Sequence, residues 1–293
     1  MSRPPWRRRR RRRRIARALL GLALALSALA ASPAPASRAA AAPDASLYRA
    51  LRWRFLGPTR GGRSTVIAGV SSRPNVFFMG TAGGLWRTEN AGASWANVSD
   101  PFFESSSVGA VAVADSDPDV VWAGTGQGIL RGNVAAGVGV YRSADGGRTW
   151  ANAGLRDAGQ IARIRIDPRD PDRVYVAVVG RAFGPSAVRG VYRTTNGGRT
   201  WERVLAISPR TGATDLAIDA TDPRVLYAAM WTGERKPWTI VSGSAESGLY
   251  KSVDGGDRWV KLAGGLPQGV VGKIGVAVSP ADPGRVWALV EAA

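Results

Sequence analysis

Residues 164–177 read Ile-Arg-Ile-Asp-Pro-Arg-Asp-Pro-Asp-Arg-Val-Tyr-Val-Ala, two short alternating apolar runs separated by a turn rich in Asp and Pro. The same design recurs at residues 216–228. Looser copies occupy residues 66–79, 111–123 and 274–288. Period-two alternation bounded by Asp and Pro predicts the two strands of a hairpin. Proline presets φ for the turn, and Asp bonds nearby backbone amides. A third apolar run follows each of the first four hairpins, as at residues 190–194, and a fourth starts at a tryptophan, as at residues 201–205. The chain therefore predicts units of four antiparallel strands.

Between the third and fourth strands lies one short motif in four copies: residues 88–95 (TENAGASW), 143–150 (SADGGRTW), 194–201 (TTNGGRTW) and 252–259 (SVDGGDRW). The closing tryptophans are 55, 51 and 58 residues apart. A period of that size marks a repeat architecture, and four antiparallel strands per repeat is a β-propeller blade. The expected fold is all-β, with blades at residues 65–98, 108–153, 161–205 and 214–262 and a partial blade at 272–290. About four and a half blades make an incomplete ring. Trp53-Arg54-Phe55-Leu56-Gly57-Pro58 looks like another fourth strand, so the chain reads as a fragment of a longer propeller. In each motif, Gly supplies a positive φ. Asp145, Asn196 and Asp254 accept backbone hydrogen bonds within their turns. Trp150, Trp201 and Trp259 bury a large apolar face between blades.

The motif resembles the Asp box of the bacterial neuraminidase repeat, and the resemblance runs from about residue 51 to the end. Propellers of that class include sialidases, xyloglucanase-type glycoside hydrolases, the photosystem II stability factor and the N-terminal domain of sortilin. The stretches WRFLGPTRGGR (53–63) and GRAFGPSAVRGVY (180–192) look most like secreted sortilin-like repeat proteins. In this class the Asp box lies away from the active site, which implies a structural role for its carboxylates. Two departures weaken an enzymatic reading. The Arg-Ile-Pro motif of sialidases is absent. Where xyloglucanase-type enzymes carry a catalytic Asp in a first-blade Arg-Thr-Asp-x-Gly-Gly segment, this chain has Gly80-Thr81-Ala82-Gly83-Gly84.

Composition narrows the chemistry. The 293 residues contain no Cys and no His, which excludes disulfides, His- or Cys-ligated metals and every scheme with a His base. The Asp-rich turn at 167–172 lacks the ligand density of an EF-hand calcium loop. No metal and no cofactor is expected. The net charge of +18 is concentrated at the start, where ten arginines lie in the first 17 residues. Without residues 1–42 the chain keeps 29 basic and 22 acidic side chains, a moderate excess that does not suggest nucleic-acid binding. The basic run leads into the Leu- and Ala-rich residues 19–31 and Ala-x-Ala sites at 34–36 and 40–42, the form of an export signal. Residues 1–42 are expected to be signal and linker, residues 43–293 the propeller. The mature chain is expected in the periplasm or outside the cell, without a transmembrane segment.

Strand polarity puts the Asp-Pro turns and Asp boxes on one face, and the longer second-to-third loops and inter-blade connections on the other. Variable loops are where repeat folds bind. The ligand-binding candidates on this loop face are Arg60, Arg63, Gln127, Arg131, Asn133, Arg181, Phe183, Glu234, Arg235 and Trp238. Arginine forks suit anionic groups, and flat aromatics suit sugar rings or peptide side chains. The expected function is a binding or scaffold module for a peptide or polysaccharide. The alternatives are a glycoside hydrolase, which needs two facing carboxylates among Glu104, Asp157, Asp215, Glu234 and Glu246, and an assembly factor for a membrane complex.

Overall fold

The structure, a computed structural model, describes Asp44 and residues 62–292. The export segment, the strand-like stretch 53–58 and Arg60 lie outside the described residues. Nineteen strands follow one another among the described residues. The first sheet has the order β1 (Ser64–Val70), β2 (Arg73–Thr81), β3 (Gly84–Thr88), β4 (Ala96–Asn97). The second is β5 (Val108–Val113), β6 (Val121–Thr125), β7 (Val140–Ser143), β8 (Ala151–Asn152). The third is β9 (Gln160–Asp167), β10 (Asp170–Gly180), β11 (Gly190–Thr194), β12 (Glu202–Leu205). The fourth is β13 (Thr211–Ile218), β14 (Leu226–Arg235), β16 (Gly248–Ser252), β17 (Val260–Lys261), with β15 (Ile240–Ser242) paired to the end of β14. A two-stranded sheet of β18 (Val271–Val278) and β19 (Val286–Ala292) comes last. Within each sheet neighbouring strands are antiparallel.

The core lies between sheets. On β10, Val174, Val176 and Val178 turn towards the second sheet and pack with Trp122, Val140 and Ile164. Tyr175 and Ala177 turn the other way and pack with Leu216, Leu226 and Met230 of the fourth sheet. A central strand buried on both sides must be apolar at consecutive positions, hence the unbroken run Val-Tyr-Val-Ala-Val-Val. The first and second sheets meet through Phe78, Leu85, Val121 and Tyr141. The fourth and last meet through Tyr227, Leu249, Ile274 and Val276. Each sheet covers its neighbour, as stacked repeats require.

The repeated turns join this stacking. In the second sheet, Asp145 Oδ1 accepts the backbone N–H groups of Arg148 and Thr149, each at 2.9 Å, and the Ser143 hydroxyl at 2.7 Å. Asn196 and Asp254 accept equivalent N–H groups from Thr200 and Arg258. The glycine after the carboxylate or amide donates to the hairpin turn of its own sheet: Gly146 to Asp119, Gly197 to Asp172 and Gly255 to Arg224. Hairpin turns and repeated turns thus share one face.

One loop departs from expectation. Residues 231–248 read as a long loop, but β14 continues to Arg235 and folds back as β15. Trp231 is buried at its base, with its indole N–H donating to Ser242 Oγ at 2.9 Å.

Candidate functional site

The loops after β6, β10 and β14 meet on the face opposite the repeated turns. Leu130, Val134, Ala162, Val179, Ala182 and Trp231 form a small apolar cluster beneath them. Arg189 fastens the group. Its side chain is only 1% exposed, and its guanidinium donates to the carbonyls of Arg181, Gly184, Arg210 and Gly233 at 2.8–3.0 Å. Burial lowers its pKa, and the charge of Glu234 partly offsets this. Arg189 lies in the loop between β10 and β11, and the fold uses it as an internal clamp.

Several candidates converge around this clamp. The Arg235 N–H donates to the Ala182 carbonyl at 2.7 Å, and its guanidinium lies 3.9 Å from where a methyl on Gly132 would stand. The loops that carry Arg131 and Arg181 therefore adjoin Arg235 at the end of β14. None of the three side chains makes a hydrogen bond or ion pair among the described residues, and Arg235 Nε is buried without an acceptor. Arg63 Nη2 reaches Asn133 Oδ1 at 3.4 Å. Phe183 is 58% exposed and Trp238, at the tip of the β14–β15 hairpin, is 82% exposed. A crevice of about 360 Å³ runs between Val134, Gln160, Arg181, Phe183 and Pro185.

Two candidates stand apart. Gln127 is buried; its backbone N–H donates to Gln160 Oε1, while Gln160 Nε2 donates to the Ala135 carbonyl. Its side chain is part of the packing beneath the loops. Glu234 is held by Lys236, and this hydrogen bond, stronger than the opposing effect of burial, lowers its pKa.

The other acids named from sequence are similarly tied. Glu104 bonds Arg156, and Asp215 bonds Arg163 at 2.6 Å. Glu246 accepts the hydroxyls of Ser208 and Thr211, which lower its pKa. Ala82 occupies the tight β2–β3 turn, its N–H bonded to the Arg63 carbonyl at 3.0 Å.

A second and larger cavity, about 610 Å³, opens where the first strands of the five sheets converge. Thr65 of β1, Gly109 of β5, Arg163 of β9, Asp215 of β13 and Lys273 of β18 border it. Sequence reasoning missed its cations. The available signal was the alternation Ile161-Ala162-Arg163-Ile164-Arg165-Ile166, which sets arginines into an otherwise apolar inner strand.

Known proteins resemble this chain in sequence and fold. Residues 139–268 match the Sortilin-Vps10 family model, described as sortilin, neurotensin receptor 3. A Paenibacillus xyloglucanase is 26% identical over 222 residues, covering 68% of this chain and 21% of that protein. Xyloglucanase Xgh74A of Acetivibrio thermocellus is 25% identical over 251 residues, covering 76% and 28%. The chain thus spans under a third of the length of these curated relatives. Among solved structures, an ancestral GH74 enzyme superposes with a TM-score of 0.58 at 23% identity, covering 78% of this chain and 29% of that one. The GH74 enzyme of Niastella koreensis gives 0.53 at 17%, covering 74% and 33%. The fold is an all-β β-propeller, distantly related to the GH74 xyloglucanases and similar to the Sortilin-Vps10 family over residues 139–268.

Proposed function

We propose that this chain is an exported binding module that takes a peptide or polysaccharide on its loop face. The observation that carries this reading is that Arg131 and Arg181, on two loops, adjoin Arg235 at the end of β14, with guanidiniums that have no acceptor among the described residues. Arginines that serve the fold find acceptors, as Arg189 and Arg193 do. A guanidinium without one is free to grip a carboxylate, sulfate or phosphate with its planar fork. Exposed Phe183 and Trp238 beside them offer flat apolar surface to a sugar ring or side chain.

The relatives favour a second reading, a glycoside hydrolase. Against it, Ala82 stands in the turn where the resemblance calls for a catalytic Asp. Glu234 and Glu246 are held ionised by their partners, whereas a general acid needs a raised pKa. Glycan and peptide arrays probed with the purified chain, followed by reducing-sugar release on every glycan hit, separate the two. Binding without release, abolished by combining Arg131→Ala, Arg181→Ala and Arg235→Ala, is the expected result. Binding unchanged in that triple variant rejects the face, and sugar release favours the hydrolase.

A further inference from the structure

The tip of the β14–β15 hairpin carries apolar side chains that the fold does not use. Residues 235–241 read Arg-Lys-Pro-Trp-Thr-Ile-Val. Across the ribbon Arg235 stands opposite Ile240, and Glu234 opposite Val241. The Lys236 N–H donates to the Thr239 carbonyl at 2.9 Å, so Pro237 and Trp238 form the turn itself. Successive strand residues face opposite sides, yet Ile240 is 39% exposed and Val241 42%. Both faces of the ribbon tip thus stay open to solvent. Trp238 makes no hydrogen bond or ring contact among the described residues. Trp231 at the base is the contrast, buried and with its indole N–H bonded.

Cations stand behind this tip. Arg235 lies three residues before Trp238, and its backbone N–H binds the Ala182 carbonyl, which brings the Arg181 loop alongside. The Arg131 loop adjoins Arg235 through Gly132. None of these three guanidiniums has an acceptor among the described residues, and the hairpin carboxylate Glu234 is already held by Lys236. Three residues of extended chain set the arginines back from the tryptophan by about 10 Å at most. A convex knob that is apolar on both faces is covered fully only by a medium that closes round it. Interfacial insertion buries apolar groups by roughly 5–10 Å, and Trp favours the headgroup level. At that depth the arginines reach the lipid phosphates, which suit a guanidinium fork.

We propose that the β14–β15 hairpin docks this protein on an anionic lipid bilayer. Trp238, Ile240 and Val241 enter the interface, and Arg131, Arg181 and Arg235 meet the headgroup phosphates. This goes beyond the soluble-ligand reading of the loop face. A ligand in solution that grips the arginines leaves the far side of the ribbon bare, whereas a bilayer covers both sides.

The chain has no cysteine, so Thr239→Cys gives a single attachment point for an environment-sensitive fluorophore at the tip. Arg199→Cys gives one on the repeated-turn face. Each full chain is mixed with vesicles of phosphatidylcholine, alone or in an equal mixture with phosphatidylglycerol. The label reports its own surroundings, whatever residues 1–42 do. With the anionic vesicles the Thr239→Cys label is expected to shift to the blue and to be quenched by lipids brominated along their chains, and the Arg199→Cys label to do neither. Adding Trp238→Ser should reduce that quenching roughly threefold or more, by loss of apolar area, and leave the melting temperature unchanged. Combining Arg131→Ala, Arg181→Ala and Arg235→Ala should erase the preference for anionic lipid. A silent tip label would overturn the docking and leave the hairpin to a soluble partner. Equal responses at both labels, or quenching unmoved by Trp238→Ser, would overturn it as well. Glycan and peptide arrays contain no bilayer, so the soluble-ligand reading and this one fail separately.

Discussion

Trp201 of the third sheet donates its indole N–H to the main-chain carbonyl of Ala153 in the second, at 2.7 Å. The same indole meets Trp122 edge-on, with ring centres 6.0 Å apart and planes at 88°. One residue at the end of a repeated turn thus joins two sheets by a polar and an apolar contact at once. Trp150 does comparable work one sheet earlier, where it meets Phe103 edge-on at 5.4 Å.

Removing these anchors should loosen the stack. Trp150→Ala, at a nearly buried site, is expected to cost about 3–5 kcal/mol. Trp201→Ala should cost somewhat less because that ring is partly exposed. Trp201→Phe keeps the ring contact and loses the bond to Ala153, for about 1 kcal/mol. Urea unfolding measures all three; a negligible change in Trp150→Ala would refute burial between sheets.

Asp145 should give the protein an acid-sensitive step. Burial pushes its pKa upward, but hydrogen bonds from the Thr149 hydroxyl and N–H, the Ser143 hydroxyl and the Arg148 N–H outweigh this and hold it at about 2. An unperturbed Asp titrates near ~3.9. The folded value lies below the unfolded one, so the stabilisation is present above pH ~4 and is lost as pH falls towards 2. Asn196 fills the same position in the third sheet without a charge. Asp145→Asn should therefore fold and show a shallower loss of stability across that window. Acid titration of both proteins by circular dichroism checks it, and identical curves would contradict the assignment.

Arg189 should govern the order of the loop face. Arg189→Met leaves four carbonyls without their donor and is expected to cost about 3 kcal/mol or more. Arg189→Lys should rescue little, because an ammonium lacks the planar fork that spans four acceptors. Limited proteolysis should then cut within residues 181–189 while the repeated turns stay protected. Cleavage spread evenly along the chain would place the role of Arg189 elsewhere.

Gly198 sits at φ +87°, and a methyl there would lie 2.9 Å from both Trp122 and the Ala153 side chain. Gly198→Ala should cost about 2 kcal/mol or more, from the left-handed backbone and from overpacking. Gly264→Ala, with open space around it, should be neutral or slightly stabilising. Thermal melts of the two variants side by side decide the matter; equal melting temperatures would show that the turn yields.

How much of this was legible beforehand varies with the range of the interaction. The repeated strands and turns were readable because a turn is fixed by neighbours. Asp145, Ser143 and Thr149 lie within one heptapeptide, and their hydrogen bonds close locally. The β14–β15 hairpin was not readable. Residues 236–239 resemble any exposed loop, and only the buried Trp231 at the base fixes the return strand.

The sequence alone determined the four-stranded repeat, the shared face of the turns and the two-sided apolar strands, since alternation and turn chemistry act over a few residues. Tertiary structure decided which arginines find acceptors within the fold and which do not. Arg189, Arg181 and Arg235 look alike in the sequence, as do Arg163 and Arg165. Arg189 meets four carbonyls drawn from residues 5 to 44 positions away, and Arg163 meets a carboxylate 52 positions away. A guanidinium's role is set by the acceptors that the folded chain brings within about 3 Å of it, and sequence spacing does not report that distance.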